Sequence, residues 1–121
     1  MAGLFLTAGC QRLNYEKTVT VGPGNSEVLV IDPPSVNQDV KVDFKSSKEP
    51  VSVYIVLEEN AEAVKQKTDL GGKPEADKII AGKEKVMEGT VEGKVPAKKG
   101  YQIIIGGATK DTEVTVKVTG K

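Results

Sequence analysis

The feature that most constrains this chain is the alternation of apolar and polar residues with a period of two. Val40, Val42 and Phe44 would share one face of a strand, with Lys41 and Asp43 on the other face. Such alternation is typical of strands that have one buried and one solvated side. The same pattern recurs in residues 51–57 and 114–119.

Further strands are predicted from apolar runs. Residues 28–31 and 103–105 are continuous, β-branched runs of strand length, and we expect both to be covered on both faces. Weaker strand patterns lie at 18–21, 86–88 and 90–95, and Gly, Pro, Asn and Ser residues separate the segments. Seven or eight short strands at this spacing predict an all-β sandwich or barrel, and 121 residues suit a single domain.

The alternation is absent from residues 58–85. Residues 58–67 contain good helix formers, with Ala61 and Val64 on one side, which predicts a helical excursion of two or three turns. Residues 68–77 have the composition of a loop. Because long excursions in compact domains often carry function, this segment is the candidate functional surface.

Composition excludes several classes of function. The 17 basic and 17 acidic side chains cancel, which is unlike a nucleic-acid binder. The absence of His removes the commonest general base and metal ligand, and one Cys cannot form an internal disulfide. With no Trp, three Tyr and two Phe, an avid carbohydrate module is disfavoured, and we expect Tyr54 and Tyr101 in the core. We therefore predict no catalytic residues, no cofactor and no metal.

The densest acidic cluster is Glu58, Glu59 and Glu62. These carboxylates are the candidate binding residues, since their oxygens suit Ca²⁺. The stronger interpretation is a solvated start of a helix, because no calcium-loop pattern with acidic residues at alternating positions is present.

The amino terminus changes composition sharply at Cys10. Residues 1–9 carry no charge and end in small residues, as the late part of a secretory signal does. The segment Leu6-Thr7-Ala8-Gly9-Cys10 resembles the lipobox of bacterial lipoproteins, which implies that Cys10 is lipidated. The chain then divides into a signal-peptide remnant (1–9), a lipidated tether (10–17) and a β-sandwich domain (18–121). The alternative is an apolar first strand in which Cys10 is a buried hydrophobe.

Two longer segments carry a second resemblance. Residues 39–57 contain the pattern Ser-x-x-Pro-Val-x-Val-Tyr, and residues 95–105 contain Pro-Ala-x-x-Gly-Tyr. Together with the final strand they resemble bacterial pre-peptidase C-terminal domains and GOLD domains. The resemblance implies a jelly-roll-like antiparallel β-sandwich that serves as a binding, targeting or accessory module without catalytic residues.

These observations predict an extracytoplasmic lipoprotein of the bacterial cell envelope, facing the periplasm or on the outer membrane. It would be a non-catalytic binding or protein-interaction module that uses strand edges and residues 58–85. Its expected partners are the membrane, through lipid, and envelope proteins or glycans. The alternatives are a small hydrolase or lyase that uses carboxylates and Lys, with a site in residues 68–85, and an inert structural spacer.

Lipidation at Cys10 predicts a change in location. A Cys10→Ala variant should move from the membrane fraction to the soluble fraction, because two or three acyl chains hold a protein firmly and no lipid would then be attached. Fractionation followed by immunoblotting measures this change. An unchanged distribution would contradict lipidation.

Overall fold

The computed structural model describes residues 13–120. The strands are β1 Leu13–Val21, β2 Glu27–Ile31, β3 Gln38–Ser46, β4 Val51–Leu57, β5 Ala81–Val86, β6 Glu88–Val95, β7 Tyr101–Gly106 and β8 Thr112–Gly120. The helix α1 spans Glu58–Asp69, and a 3-10 turn spans Ala76–Lys78. Within residues 13–120, no helix is both long and apolar enough to cross a membrane.

The strands form two antiparallel sheets of four strands each. The first sheet has the order β1-β8-β3-β6, and the second sheet has the order β2-β7-β4-β5. Successive strands along the chain alternate between the sheets except for β4 and β5, which pair in the second sheet, and this is the order of a jelly roll. The predicted all-β, jelly-roll-like sandwich and the helical excursion near residues 58–67 are therefore confirmed.

The main core lies between the two sheets. In β3 and β8 buried and exposed residues alternate, as the period of two predicts. Val42 and Val116 have no exposed surface, and Phe44 retains 4%. Val53 and Ile55 meet them from the second sheet. Burying one such aliphatic side chain contributes roughly 1.5–3 kcal/mol, so this layer is the principal source of stability.

The second sheet is buried on its outer face as well. Six consecutive residues of β4 are buried, which identifies it as a central strand. Its outward side chains Tyr54 and Val56 join Ile104 of β7 in a second apolar cluster. Ala61 and Val64 of α1 complete this outer cluster. The helix is therefore the cover of the second sheet.

A glycine allows a close approach beside the outer cluster. Gly82 of β5 pairs with Tyr54 of β4, and the Tyr54 ring lies where a Cβ at residue 82 would stand. Tyr54 retains only 2% of its surface. A glycine is required here because any side chain would displace the ring.

The first strand is longer than predicted. Residues 13–17, assigned to the tether by the sequence, form the first half of β1. β1 pairs with β8 from Leu13 opposite Gly120 to Val21 opposite Thr112. Backbone hydrogen bonds need no apolar alternation, and this is why the pattern missed these residues. The predicted signal remnant 1–9 and Cys10 lie outside the described residues.

Two further expectations are corrected at sheet edges. The run 28–31 is not covered on both faces, because β2 is an edge strand and Val30 is 71% exposed. The run 103–105 is fully buried, as expected. Residues 81–85, for which the sequence predicted no strand, belong to β5. This edge strand carries charged, exposed side chains, which discourage pairing with other chains and hide the strand from hydrophobicity patterns.

The sandwich has two distinct ends. The Leu13 end holds the start of β1, the loops 32–37 and 96–100, and the start of α1. The Leu70 end holds the end of α1, because Ser26, which precedes β2, bonds Asp69. α1 therefore crosses the second sheet from one end to the other.

The contact between Gly82 and Tyr54 predicts a stability effect. Gly82→Ala should lower the free energy of unfolding by roughly 1–3 kcal/mol, because the added methyl displaces a buried ring. Urea unfolding measures this loss. Gly72→Ala is the matched control, since the nearest atom to its Cβ would be the Lys67 carbonyl oxygen at 3.5 Å. Equal unfolding midpoints for the two variants would show that the ring is not constrained.

Candidate functional site

The helix α1 lies on the second sheet through one narrow face. Its buried residues are Ala61, Val64 and Thr68, whose spacing of three and four places them on one side. The helix starts directly after β4, with Leu57 in an extended conformation. The remaining side chains of α1 are partly or fully exposed, so the helix offers its outer side to solvent.

A tight turn ends the helix and exposes a leucine. Gly71 adopts a left-handed conformation with φ of 75°, which glycine tolerates better than other residues. The Leu70 amide donates to the Gln66 carbonyl at 3.2 Å, and the Gly72 amide donates to the Lys67 carbonyl at 2.9 Å. The chain reverses here, and the Leu70 side chain is 85% exposed.

Asp69 fixes the end of α1 to the sandwich. The Ser26 amide donates to Asp69 Oδ1 at 2.8 Å, and Lys65 Nζ donates to Asp69 Oδ2 at 2.9 Å. Partial burial opposes ionisation, but the hydrogen bonds from Ser26 and Lys65 outweigh it and hold the pKa of Asp69 below its ordinary value. The carboxylate therefore stays ionised and links α1 to the start of β2.

The chain that follows α1 is also held in place. The Ile80 amide donates to the Ile55 carbonyl at 2.7 Å, which brings the chain back to β4. Ile79 packs against the outer cluster, and Lys73 Nζ lies 3.6 Å from Glu84 Oε1 of β5. The return segment, residues 70–80, therefore lies beside α1 on the same sheet.

A small depression, which we call the notch, lies between α1 and the return segment. Its volume is about 230 Å³. Val64 and Pro74 are buried, Leu70 stands exposed, and the charged groups are the side chains of Lys67, Lys78 and Glu75. The full lining is Ala63, Val64, Gln66, Lys67, Leu70, Pro74, Glu75 and Lys78. The notch is therefore a mainly apolar recess with charges of both signs.

The predicted binding residues lie elsewhere. Glu58, Glu59 and Glu62 are in the first part of α1, at the Leu13 end, where acidic side chains interact favourably with the helix dipole. Glu59 Oε1 lies 4.0 Å from Lys99 Nζ, and none of the three lines the notch. Across residues 13–120, no three His, Cys, Asp or Glu side chains gather to hold a metal ion. Their binding role stays a prediction.

The sequence indicated the segment but not the residues of the notch. Residues 68–77 were the candidate functional surface, and Leu70 and Pro74 fall within them. Lys67 and Lys78 lie in the wider predicted segment 58–85 but were not singled out, because only the packed fold brings α1 and the return segment together. The available signal was Leu70 itself, an apolar residue between a helix and a Gly-Gly pair that no core periodicity requires.

A second depression of about 470 Å³ lies on the outer face of the first sheet. Most of its side chains carry charges or hydroxyls, and several bond one another. Thr90 Oγ1 donates to Asp43 Oδ1 at 2.6 Å, and the Thr18 and Thr115 hydroxyls lie 3.4 Å apart beside it. The lining comprises Glu16, Asp43, Phe44, Lys45, Glu88, Gly89, Thr90, Thr115 and Lys117. We call this surface the polar face, because charged and hydroxyl side chains predominate in its lining.

The aromatic rings are not available to stack on sugars at this polar face. Phe44, Tyr54 and Tyr101 retain 4%, 2% and 0% of their surface, which confirms that Tyr54 and Tyr101 belong to the core. Burial raises the pKa of Tyr101 to about 12, so it is a neutral phenol at physiological pH. Among the described residues, Tyr15 is the exposed aromatic residue, at 37%.

Comparison with known proteins identifies the fold. No protein-family model matches the chain, and no curated protein matches its sequence. A mitogen derived from Yersinia pseudotuberculosis (YPM) superposes with a TM-score of 0.60 at 8% identity, over 90% of this chain and 86% of that chain. PliG of Aeromonas hydrophila, a periplasmic inhibitor of g-type lysozyme, superposes with a TM-score of 0.54 at 10% identity, over 96% of this chain and 91% of that chain. At such identities the likeness shows a β-sandwich fold, and the two family resemblances stay predictions.

The Asp69 contacts predict a pH-dependent effect on stability. Asp69→Asn should lower the free energy of unfolding at neutral pH by about 1 kcal/mol, because a partly exposed charged acceptor is lost. The folded pKa is below the ordinary 3.8, so this stabilisation is present above 3.8 and is lost as the pH falls through the folded pKa. Urea unfolding of the wild type and of Asp69→Asn, at neutral and at strongly acidic pH, measures the difference between their free energies of unfolding. This difference should shrink at the acidic pH.

The control for this prediction is Asp77→Asn, at an exposed carboxylate in the 3-10 turn. We expect this variant to unfold like the wild type at both pH values. If the difference in free energy of unfolding between the wild type and Asp69→Asn stayed constant with pH, this would contradict an ionic role for Asp69.

Proposed function

We propose that this protein is a non-catalytic protein-binding module of the bacterial cell envelope and that its partner binds at the notch. The observation that carries the proposal is Leu70, which is 85% exposed beside a recess whose walls are hydrogen-bonded to the sandwich. Protein interfaces concentrate their binding energy in a few residues that fill well-packed pockets. Leu70 would enter the partner, and the notch would accept a side chain of the partner.

The sizes of the two depressions favour a protein partner. Pockets for small molecules are usually apolar and enclose roughly 300–1,000 Å³. The notch, at about 230 Å³, is smaller and suits one protruding side chain. The depression on the polar face is large enough, at about 470 Å³, but most of its lining side chains carry charges or hydroxyls, and Phe44 is too buried to serve as an aromatic platform for glycans.

The fold and the amino terminus support an extracytoplasmic location. PliG of Aeromonas hydrophila is a periplasmic protein of similar fold that inhibits another protein. The segment Leu6-Thr7-Ala8-Gly9-Cys10 resembles a lipobox. The proposal therefore includes attachment to a bacterial membrane through lipid on Cys10.

The contacts around the notch favour binding over catalysis. A hydrolase or lyase in residues 68–85 would need paired acid and base groups in a cleft. The notch contains one carboxylate, Glu75. Asp69 bonds Ser26 and Lys65 and is not part of the notch lining.

Site-specific photocrosslinking tests this proposal. A photoreactive amino acid at Lys67, on the rim of the notch, should give one discrete adduct in the cells that make the protein. A Leu70→Ser change in the same chain should reduce that adduct by about tenfold, because loss of an apolar anchor costs more than 1 kcal/mol of binding free energy. Immunoblotting of the irradiated cells measures the yield.

The matched control is the same amino acid at Lys41, an exposed lysine on the polar face. We expect no discrete adduct from this position. An adduct only from the photoreactive residue at position 41 would indicate that the binding surface is on the first sheet and not at the notch. No adduct from either position would favour the inert spacer.

A further inference from the structure

The distance between Cys10 and the sandwich is short. Only Gln11 and Arg12 separate Cys10 from Leu13, where β1 begins. Three residues span at most about 11 Å when fully extended. The nine residues of β1 then run along the sandwich for about 30 Å at the usual rise of a strand. A lipid on Cys10 would therefore bring the Leu13 end, and not the Leu70 end, to the membrane surface.

Three of the five exposed large apolar side chains in residues 14–120 lie at this same end, and the other two are Leu70 and Met87. Val30 is 71% exposed, Val36 is 57% exposed and Tyr15 is 37% exposed. Val30 is the penultimate residue of β2, Val36 lies in the loop after it, and Tyr15 is the third residue of β1. Tyrosine is enriched at membrane–water interfaces, and aliphatic side chains also leave water favourably there. The Leu13 end therefore has the side chains that suit a lipid surface.

The loop that carries Val36 is held in position. The Lys98 amide donates to the Pro34 carbonyl at 2.7 Å, and the Ala97 amide donates to Asn37 Oδ1 at 2.8 Å. These bonds join the loops 32–37 and 96–100 across the end of the sandwich. Val36 is therefore held in place by these two loops, and its side chain can contact lipid without a rearrangement of the loop.

The charges at the Leu13 end nearly balance. Lys94 Nζ lies 3.9 Å from Asp39 Oδ1, and Lys99 Nζ lies 4.0 Å from Glu59 Oε1. Among the described residues, Asp32, Glu58 and Lys98 also lie at this end, and Glu16 and Lys17 follow Tyr15 in β1. A surface without excess positive charge gains little from anionic lipids. Contact with the membrane would therefore depend on apolar side chains and vary little with lipid charge.

From these observations we infer that the Leu13 end is a membrane-contacting surface, in which Tyr15, Val30 and Val36 lie in the lipid headgroup region while Leu70 points away from the bilayer. The inference rests on the attachment at Cys10 that forms part of the proposed function. It adds an orientation that keeps the notch accessible to a partner in the surrounding compartment. The partner of this second surface is a lipid bilayer of any headgroup charge.

The chain allows a direct test because it has one Cys and no Trp. The full chain is coupled through the Cys10 thiol to maleimide lipid in phosphatidylcholine vesicles that contain nitroxide-labelled lipid. With Val36→Trp, the single indole should lose roughly half or more of its fluorescence relative to vesicles without nitroxide, because it lies in the interface. The matched control, Leu70→Trp, should be quenched little. Tyr15→Trp repeats the test from β1.

Two outcomes would overturn the inference. One is equal quenching of the indoles at residues 36 and 70, and the other is quenching of neither. Replacing part of the phosphatidylcholine with phosphatidylglycerol should leave the quenching unchanged, and a strong increase would indicate charge-driven binding instead. Because the lipid is attached chemically, the result does not depend on whether cells lipidate Cys10. Fractionation of Cys10→Ala tests lipidation separately. The result is also independent of partner binding at the notch.

Discussion

The two central strands of the second sheet, β4 and β7, are apolar on both faces, and this is the constraint on which the rest of the structure depends. Six consecutive residues of β4 and all of Ile103–Ile105 are buried. A sheet with two apolar faces needs a layer on each side, since water against either face would cost the free energy gained by burial. The first sheet covers one side and α1 covers the other. The notch is the gap that remains between this cover and the return segment.

The cover is fixed by close packing at the Leu70 end. A Cβ at Gly106 would lie 2.7 Å from Thr68 Cγ2, so the helix and β7 approach as closely as a glycine permits. Asp69 adds a hydrogen bond to the Ser26 amide at 2.8 Å. Because α1 cannot slide inward, the turn at Gly71 directs Leu70 away from the core. The exposure of this leucine is therefore a consequence of how the cover is attached.

The first sheet has a different role in the molecule. One face is the core, and the other carries Thr, Lys, Asp and Glu side chains that water solvates well. At the edge of the second sheet, charged residues of β5 discourage pairing with other chains. The apolar surface that remains exposed is consequently divided between the Leu70 end and the Leu13 end. A single domain can thus offer one surface to a partner and another to a membrane.

The sequence by itself determined the sandwich, the strands β3, β4 and β8 and the position of α1, because alternation and helix periodicity are local signals of burial. It did not determine the start of β1 at Leu13, the strand β5 or the exposure of Val30, which depend on backbone pairing and on position at a sheet edge. The binding role of Glu58, Glu59 and Glu62 stays a prediction, and none of these residues lines the notch. The notch was decided by tertiary structure alone, since Lys67 and Lys78 line one recess only when both segments pack on the outer face of the second sheet.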